Sequence, residues 1–159
     1  MSDVTYFRLN GTMYYICVIL DLFARKVIAH KISRKHSTQL IAATFKQAYK
    51  ERSPKEGLIF HSDQGQQYAS CSFQNLLATL DINQSFSPSG SPHHNAVMES
   101  FFGSMKKEEL YRRNYHSVDE FKNCVGKYLD FYNNERPHTT LQYKTPNAYE
   151  SSYFARLKV

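Results

Sequence analysis

At 159 residues, with 42% hydrophobic and 14% aromatic side chains, the chain can bury one core, and we expect a single domain spanning 1–159. Lys and Arg total 20 against 14 acids, a formal charge of +6, which suits a polyanionic partner such as nucleic acid without requiring one. Three separated cysteines, Cys17, Cys71 and Cys124, suggest neither a disulfide frame nor a zinc cluster and read as core thiols of a reducing cytoplasm, while the longest apolar run, Met13 to Leu20, is far short of the roughly 20 residues of a membrane span and no signal-peptide pattern opens the chain.

Asp3 to Arg8 and Met13 to Leu20 are β-branched and aromatic runs joined by Asn10-Gly11, a dipeptide that accepts the positive φ angles of a tight hairpin turn. After a turn around Asp21 to Arg25, Lys26 to Ile32 alternates well enough for a third antiparallel strand. Ser37 or Thr38 can cap a helix carrying Leu40, Ile41, Thr44, Phe45 and Ala48 at helical spacing, which Pro54 and Gly57 close. The apolar run before His61 has the character of a buried strand and stops at Ser62-Asp63-Gln64-Gly65.

Ser72 to Leu80 predicts a second helix with Phe73, Leu76, Leu77 and Leu80 on one face, followed by a short strand near Ile82 to Phe86. Ser87 to His94, with Pro88, Gly90 and Pro92, can only be a loop. Asn95 opens a helix through about Leu110 with Val97, Met98, Phe101, Phe102 and Met105 as its buried stripe. A capping box at Ser117 starts the last helix, which carries Val118, Phe121, Val125, Tyr128 and Tyr132 until Pro137 ends it. No repeat or linker interrupts this order, so the pattern predicts one α/β domain with a mixed sheet covered by helices.

Three acids stand where chemistry could occur. Asp63 ends a strand, the position at which open α/β sheets present reactive side chains, and a chain-reversing glycine follows it. Glu99 lies in the first turns of an apolar-striped helix, which places its side chain beside the core. Asp3 lies on the first strand, although Asp21 competes with it by ending another hydrophobic strand while having an obvious role as a turn former. Asp3 is also close to the chain start, where strands fray. Carboxylates delivered by two strands and a helix could converge on Mg²⁺ or Mn²⁺, and two such ions can activate a nucleophile and stabilise a leaving oxygen at a phosphodiester. Most acids and lysines are simply solvated, and these residues have that reading too.

Five blocks carry a more specific signal: Asp3-Val4-Thr5-Tyr6; Asp21-Leu22-Phe23 with Arg25; His61-Ser62-Asp63-Gln64-Gly65 with Gln67-Tyr68; Asn95-Ala96 with Glu99-Ser100-Phe101-Phe102; and Tyr132 through His138 with Leu141 and Thr145-Pro146. In these blocks the sequence resembles the integrase-type catalytic core of bacterial insertion-sequence transposases, which are related to retroviral integrases and share the ribonuclease-H fold. Residues 64–98, 35 positions, separate Asp63 from Glu99, the family's spacing, and Lys106 occupies the basic position that the family places seven residues after its Glu.

The resemblance implies a ribonuclease-H-like α/β fold with a five-stranded mixed sheet flanked by helices. It implies a DDE transposase core that cleaves and transfers DNA strands with Mg²⁺ or Mn²⁺, two ions held by Asp3, Asp63 and Glu99. Lys106 would touch the DNA end, Arg25, Lys107, Arg112 and Arg113 would extend a phosphate-tracking surface interleaved with Tyr111 and Tyr115, and Arg136 and His138 would support the site. His61 would orient the Asp63 turn, and His93 with His94 reads as a chance pair rather than a zinc site. Partners would be transposon ends, target DNA and further copies of the chain, in a nucleoid-associated cytoplasmic protein with no membrane contact.

Two departures from the family stand out: His94 replaces an Asp before the Asn-Ala pair, and the chain begins two residues before Asp3, so we expect it to lack an upstream helix-turn-helix region for DNA-end recognition. Two other functions are compatible with these residues: a non-catalytic DNA-binding or assembly remnant, and a ribonuclease acting on RNA in hybrids.

Overall fold

The computed structural model describes residues 1–88 and 95–157. The chain divides into two compact units, Met1–Leu20 with Ile28–Ser104, and Asp21–Val27 with Met105–Val159.

In the first unit, β1 (Ser2–Leu9) pairs antiparallel with β2 (Thr12–Asp21), and β3 (Lys26–Ser33) adds to β2 in the order β1-β2-β3. The expected hairpin is present: Asn10 and Gly11 take φ of 46° and 79°, which sets Leu9 opposite Thr12 and, further along, Asp3 opposite Val18. The start of β1 does not fray. Met1 and Leu20 exchange backbone hydrogen bonds of 2.9 and 2.8 Å, and Ser2 is fully buried.

Ser37 caps α1 (Thr38–Arg52) by accepting from the Leu40 N–H, and the five expected apolar-face residues are all buried. The short β4 (Ile59–Ser62) pairs in parallel with β5 (Asn83–Phe86), connected through α2 (Cys71–Ala78). Phe60 of β4 meets Phe45 of α1 and Phe73 of α2 edge-on, both at 5.4 Å between ring centroids. These edge-to-face contacts form the centre of a core that also takes in Cys17, Ala29, Ile41 and Leu77.

Three expectations need correction. The strands do not join into one five-stranded mixed sheet: among the described residues the hydrogen bonds resolve into a three-stranded sheet and a separate parallel pair, because β4 contacts β1 without forming a ladder. Nor is β4 buried on both faces. Phe60 and Ser62 point inward while Ile59 is 62% exposed, the alternation of a strand covered on one side. Cys71 is exposed rather than core, since it lies two positions before Phe73 and therefore off the Phe73–Leu77 stripe.

Of the residues expected on its stripe, α3 (Ala96–Met105) buries Met98, Phe101, Phe102 and Met105, while Val97 is only half-buried. It does not continue as α-helix to Leu110. Lys106–Leu110 widens into a π turn, closed by the Tyr111 N–H on the Lys106 carbonyl at 2.9 Å. Such widened turns are rare and concentrate at functional sites.

In the second unit, α4 (Val118–Asn134) is capped by Ser117, whose Oγ accepts from the Glu120 N–H. The reciprocal arm of the capping box is shifted by one residue: Glu120 accepts from the His116 N–H at 2.7 Å instead of from Ser117. A 3₁₀ turn (Thr139–Leu141) leads to α5 (Pro146–Arg156), a helix that the apolar periodicity did not announce, because only Pro146 and Glu150 on it are buried. Its local signals are the Thr145 cap on the Ala148 N–H and proline in the first turn. Among the described residues no helix is long and apolar enough to cross a membrane.

Candidate active site

Asp3 sits on β1 with both carboxylate oxygens engaged. Oδ1 accepts from the N–H of its neighbour Val4 at 2.7 Å, and Oδ2 accepts from the Asn95 side-chain amide at 2.9 Å. Burial holds the Asp3 carboxyl above the ordinary carboxylate range. These two hydrogen bonds pull it back, and the charges of Asp63 and Glu99 push it up again. Two acids of the first unit, Asp63 at a strand end and Glu99 on a helix, thus act on Asp3 through their charge.

Asp63 follows directly on β4. Its Oδ1 accepts from the Gly65 N–H at 3.0 Å, which folds the carboxylate over its own turn. A Cβ at position 65 would stand 3.0 Å from that same oxygen, so a side chain there would crowd the carboxylate, while the φ of Gly65 is not unusual. His61 braces the neighbouring strands, its Nδ1 bonded to Ser85 Oγ at 3.0 Å and its Nε2 to Ser87 Oγ at 2.9 Å. Both ring nitrogens are thereby committed to serines of β5 and the segment just after it.

Glu99 is exposed, contrary to the expectation that it lies against the core. Positions 98, 101, 102 and 105 make the buried stripe, and 99 falls off it by the 3.6-residue period. Asp21 has the turn role: its Oδ1 accepts from the Phe23 N–H at 3.1 Å.

Behind Asp3, a buried polar chain ties the start of β1 to the segment after Asp63. Ser2 Oγ bonds the Tyr68 hydroxyl at 2.8 Å and donates to the Val18 carbonyl at 3.1 Å, while the Gln84 amide donates to the Tyr68 carbonyl at 2.9 Å. Satisfied groups of this kind fix one arrangement of a core.

Arg25, Lys106, Lys107, Arg112, Arg113, Arg136 and His138 all belong to the second unit. Arg136 chelates Glu108, to which the Tyr128 hydroxyl also donates, and Arg136 lies over the Tyr132 ring. His138 meets Tyr132 edge-on at 4.6 Å, and burial, with the Arg136 charge, holds its pKa below the ordinary 6.5. Arg113 pairs with the buried Glu109 at 3.1 Å. Lys107, Arg112 and Tyr111 are exposed, Lys106 and Arg25 half-buried, and Tyr115 buried on Glu109. His93 and His94, with the departure at His94, lie outside the described residues.

Sequence reasoning missed Asn95 as a partner of Asp3, and Glu108 as the partner of Arg136. Asn95 stood in the Asn-Ala block, but its spacing gives no hint of a bond to residue 3. Glu108 stood among four consecutive charges, Lys106 to Glu109, any of which could have been solvated.

Among the described residues no three His, Cys, Asp or Glu side chains are gathered closely enough to hold a metal ion as they stand. The donor set nevertheless fits hard divalent cations, being all carboxylate, and the like-charge push on Asp3 is what a cation would relieve.

Residues 1–92 match a family model described as an integrase core domain, and residues 80–146 match a second model of that description. The chain belongs to the integrase core domain family. This integrase core is 35% identical over 154 residues to a putative transposase for insertion sequence element IS150 of Escherichia coli strain K12, covering 97% of the chain and 54% of the relative. It is 34% identical to the transposase for insertion sequence element IS904 of Lactococcus lactis, covering 94% of the chain and 60% of that relative. The chain thus spans little more than half the length of these curated relatives. Among solved structures, the HTLV-2 integrase catalytic core domain in complex with magnesium superposes with a TM-score of 0.72 at 21% identity, covering 91% of this chain and 90% of that one. The fold is therefore that of the retroviral integrase catalytic cores, the ribonuclease-H-like class expected from the sequence.

Proposed function

We propose that the chain is the chemical core of an insertion-sequence transposase, cutting a DNA strand and joining a 3′ end to target DNA, with Asp3, Asp63 and Glu99 as its acid trio. The observation that carries this reading is the 35% and 34% identity, over nearly the whole chain, to transposases of insertion sequence elements, together with the 35 residues that separate Asp63 from Glu99. The charges of Asp63 and Glu99 also push the buried Asp3 carboxyl up, behind the larger effect of burial, which supports the same trio.

Asp3 and Asp63 would act as fixed oxygen donors, each already oriented by hydrogen bonds from backbone or side chain, while the exposed Glu99 has room to swing toward them. Mg²⁺ or Mn²⁺, two ions in this proposal, would supply activation of the attacking water or hydroxyl and charge stabilisation at the leaving oxygen. His61 and the Ser2–Tyr68 chain would keep the strand ends from shifting, since misplacement by about 1 Å can cost about a hundredfold in rate. Lys106, Lys107, Arg112 and Arg25 are proposed to contact phosphates, together with the outer face of Arg113. Arg136 and His138 are proposed to support the fold of the second unit. DNA is the proposed partner, and sedimentation of the DNA-bound chain tests the accompanying proposal of self-association. Residues 1–159 are proposed to act as one catalytic core.

Purified chain given Mn²⁺ and the ends of its own element is expected to yield nicked or joined products that an Asp63→Asn variant does not. Equal product from both proteins would refute the catalytic reading, and salt-dependent DNA binding retained without any product would favour a binding module.

A further inference from the structure

Asn95 immediately precedes α3 and makes two connections. Its backbone carbonyl accepts the Glu99 N–H at 3.0 Å, the first bond of the helix, and its side-chain amide donates to Asp3 Oδ2 at 2.9 Å across 92 residues of sequence. One residue thereby links the strand carrying the first acid to the helix turn carrying the third. The Asn95 side-chain oxygen is buried and has no hydrogen-bond partner among the described residues. A cap alone would need neither feature, because Asn, Asp and Ser cap helices about equally well.

We propose that Asn95 is a positioning residue: its amide sets the orientation of the Asp3 carboxylate against the start of α3, so that Asp3 and Glu99 are presented together. This rests on the reading of Asp3 and Glu99 as a metal-binding pair. Asp3 Oδ1 is held by Val4, a neighbour on its own strand that adds no information about the helix. The Asn95 amide alone, among the described contacts of this carboxylate, reports where α3 is. In carboxylate metal sites, groups that hold the ligands are worth about 10- to 100-fold in metal affinity when removed.

The test uses Mn²⁺ binding to the purified chain, read by electron paramagnetic resonance, alongside thermal melting. Asn95→Ser keeps a helix-capping side chain but is too short to hold Asp3. We expect it to melt within a few degrees of the unaltered chain, roughly the range of a 1 kcal/mol change, while binding Mn²⁺ at least tenfold more weakly. Asn95→Gln retains the amide and is expected to recover part of that loss. Asn95→Ser binding Mn²⁺ as tightly as the unaltered chain overturns the proposal, as does a Gln variant no better than Ser if Ser itself melts early. Asp3→Asn and Asp63→Asn separate the two levels. If they weaken Mn²⁺ binding while Asn95→Ser does not, only the positioning role falls. If they too leave it unchanged, or the unaltered chain binds no Mn²⁺, the metal reading falls and takes this inference with it.

Discussion

Arg136 grips Glu108 through two nitrogens, Nη2 to Oε1 at 2.7 Å and Nε to Oε2 at 2.9 Å, and the Tyr128 hydroxyl adds a third donor to the same carboxylate at 3.0 Å. This joins the π turn, α4 and the loop after it within the second unit. The Arg136 hydrogen bonds hold the Glu108 pKa below its ordinary 4.5. A depressed carboxyl contributes stability that is complete above the unfolded value and lost as pH falls through the folded one, so this contribution should disappear only below about pH 4.5. Glu108 is 33% exposed, so solvent screens the pair, and Glu108→Ala should cost about 1–2 kcal/mol rather than the larger penalty of a fully buried pair. Arg136→Lys should lose most of the same amount, because an ammonium cannot reproduce the fork. Urea unfolding of both variants measures this, and a loss below about 0.5 kcal/mol, the low end of what a single hydrogen bond contributes, would show that the cluster is ornamental to stability.

His138 titrates in a different window. Its Nε2 is buried without a partner among the described residues, and burial together with the Arg136 charge depresses its pKa below 6.5. For a base, a depressed folded pKa means that protonation favours the unfolded chain. The stability it contributes is therefore full above pH 6.5 and declines as pH falls from there toward the folded value. Thermal melting between pH 7.5 and 5.5 should show a drop of about 1 kcal/mol or less that a His138→Gln variant lacks. An identical pH slope in both proteins would assign the drop to other groups.

These two clusters mark the limit of what the sequence made legible. The hairpin at Asn10-Gly11, the Ser37 and Ser117 caps and the α1 and α3 stripes were readable because each depends on residues within a few positions of one another. The proposed acid trio drew on Asp63 at a strand end and on the 35-residue separation from Glu99, with Asp3 added by the family resemblance alone. What was not readable depends on contacts between distant segments. The exposure of Ile59 is set by what covers β4, and the bond between Asn95 and Asp3 is made by the chain path between them. α5 was missed because a helix with two buried residues has no stripe to detect, although its Thr145-Pro146 start was in view. The π turn likewise leaves no mark in Lys106 to Leu110 that distinguishes it from ordinary helix.

Gly65 provides a test of geometry at Asp63 that leaves the carboxylate itself in place. A methyl group there would meet Oδ1 at 3.0 Å, and since the same oxygen accepts from the Gly65 N–H, relieving the contact lengthens that bond and shifts the carboxylate. Gly65→Ala should reduce strand transfer by roughly tenfold or more, as expected for displacement of a reacting group by a fraction of an ångström. Stability should change little, because alanine also restricts the unfolded chain. Product formation at the unaltered rate would mean that the carboxylate moves aside at no catalytic cost.

Asp3→Asn should separate stability from activity in opposite directions. Burial and the charges of Asp63 and Glu99 raise the Asp3 pKa above 3.8, so ionisation is disfavoured in the folded chain relative to the unfolded one. With a raised folded value, stability is greatest below the unfolded pKa and is lost as pH rises through the folded pKa, leaving the ionised acid a burden at neutral pH. Asparagine removes the charge at nearly constant shape and should raise stability at pH 7 by about 1 kcal/mol, or roughly 2–4 °C in melting temperature. Because Asn95 now faces an amide instead of a carboxylate, part of this gain will be returned through a weaker hydrogen bond. Metal-dependent strand cleavage should fall to background at the same time. The gain should vanish when melting is repeated near pH 3, where Asp3 of the unaltered chain is already protonated. A variant that melts lower than the unaltered chain at pH 7 would show instead that the hydrogen bonds from Val4 and Asn95 outweigh burial, and that Asp3 is held as a stabilising ion.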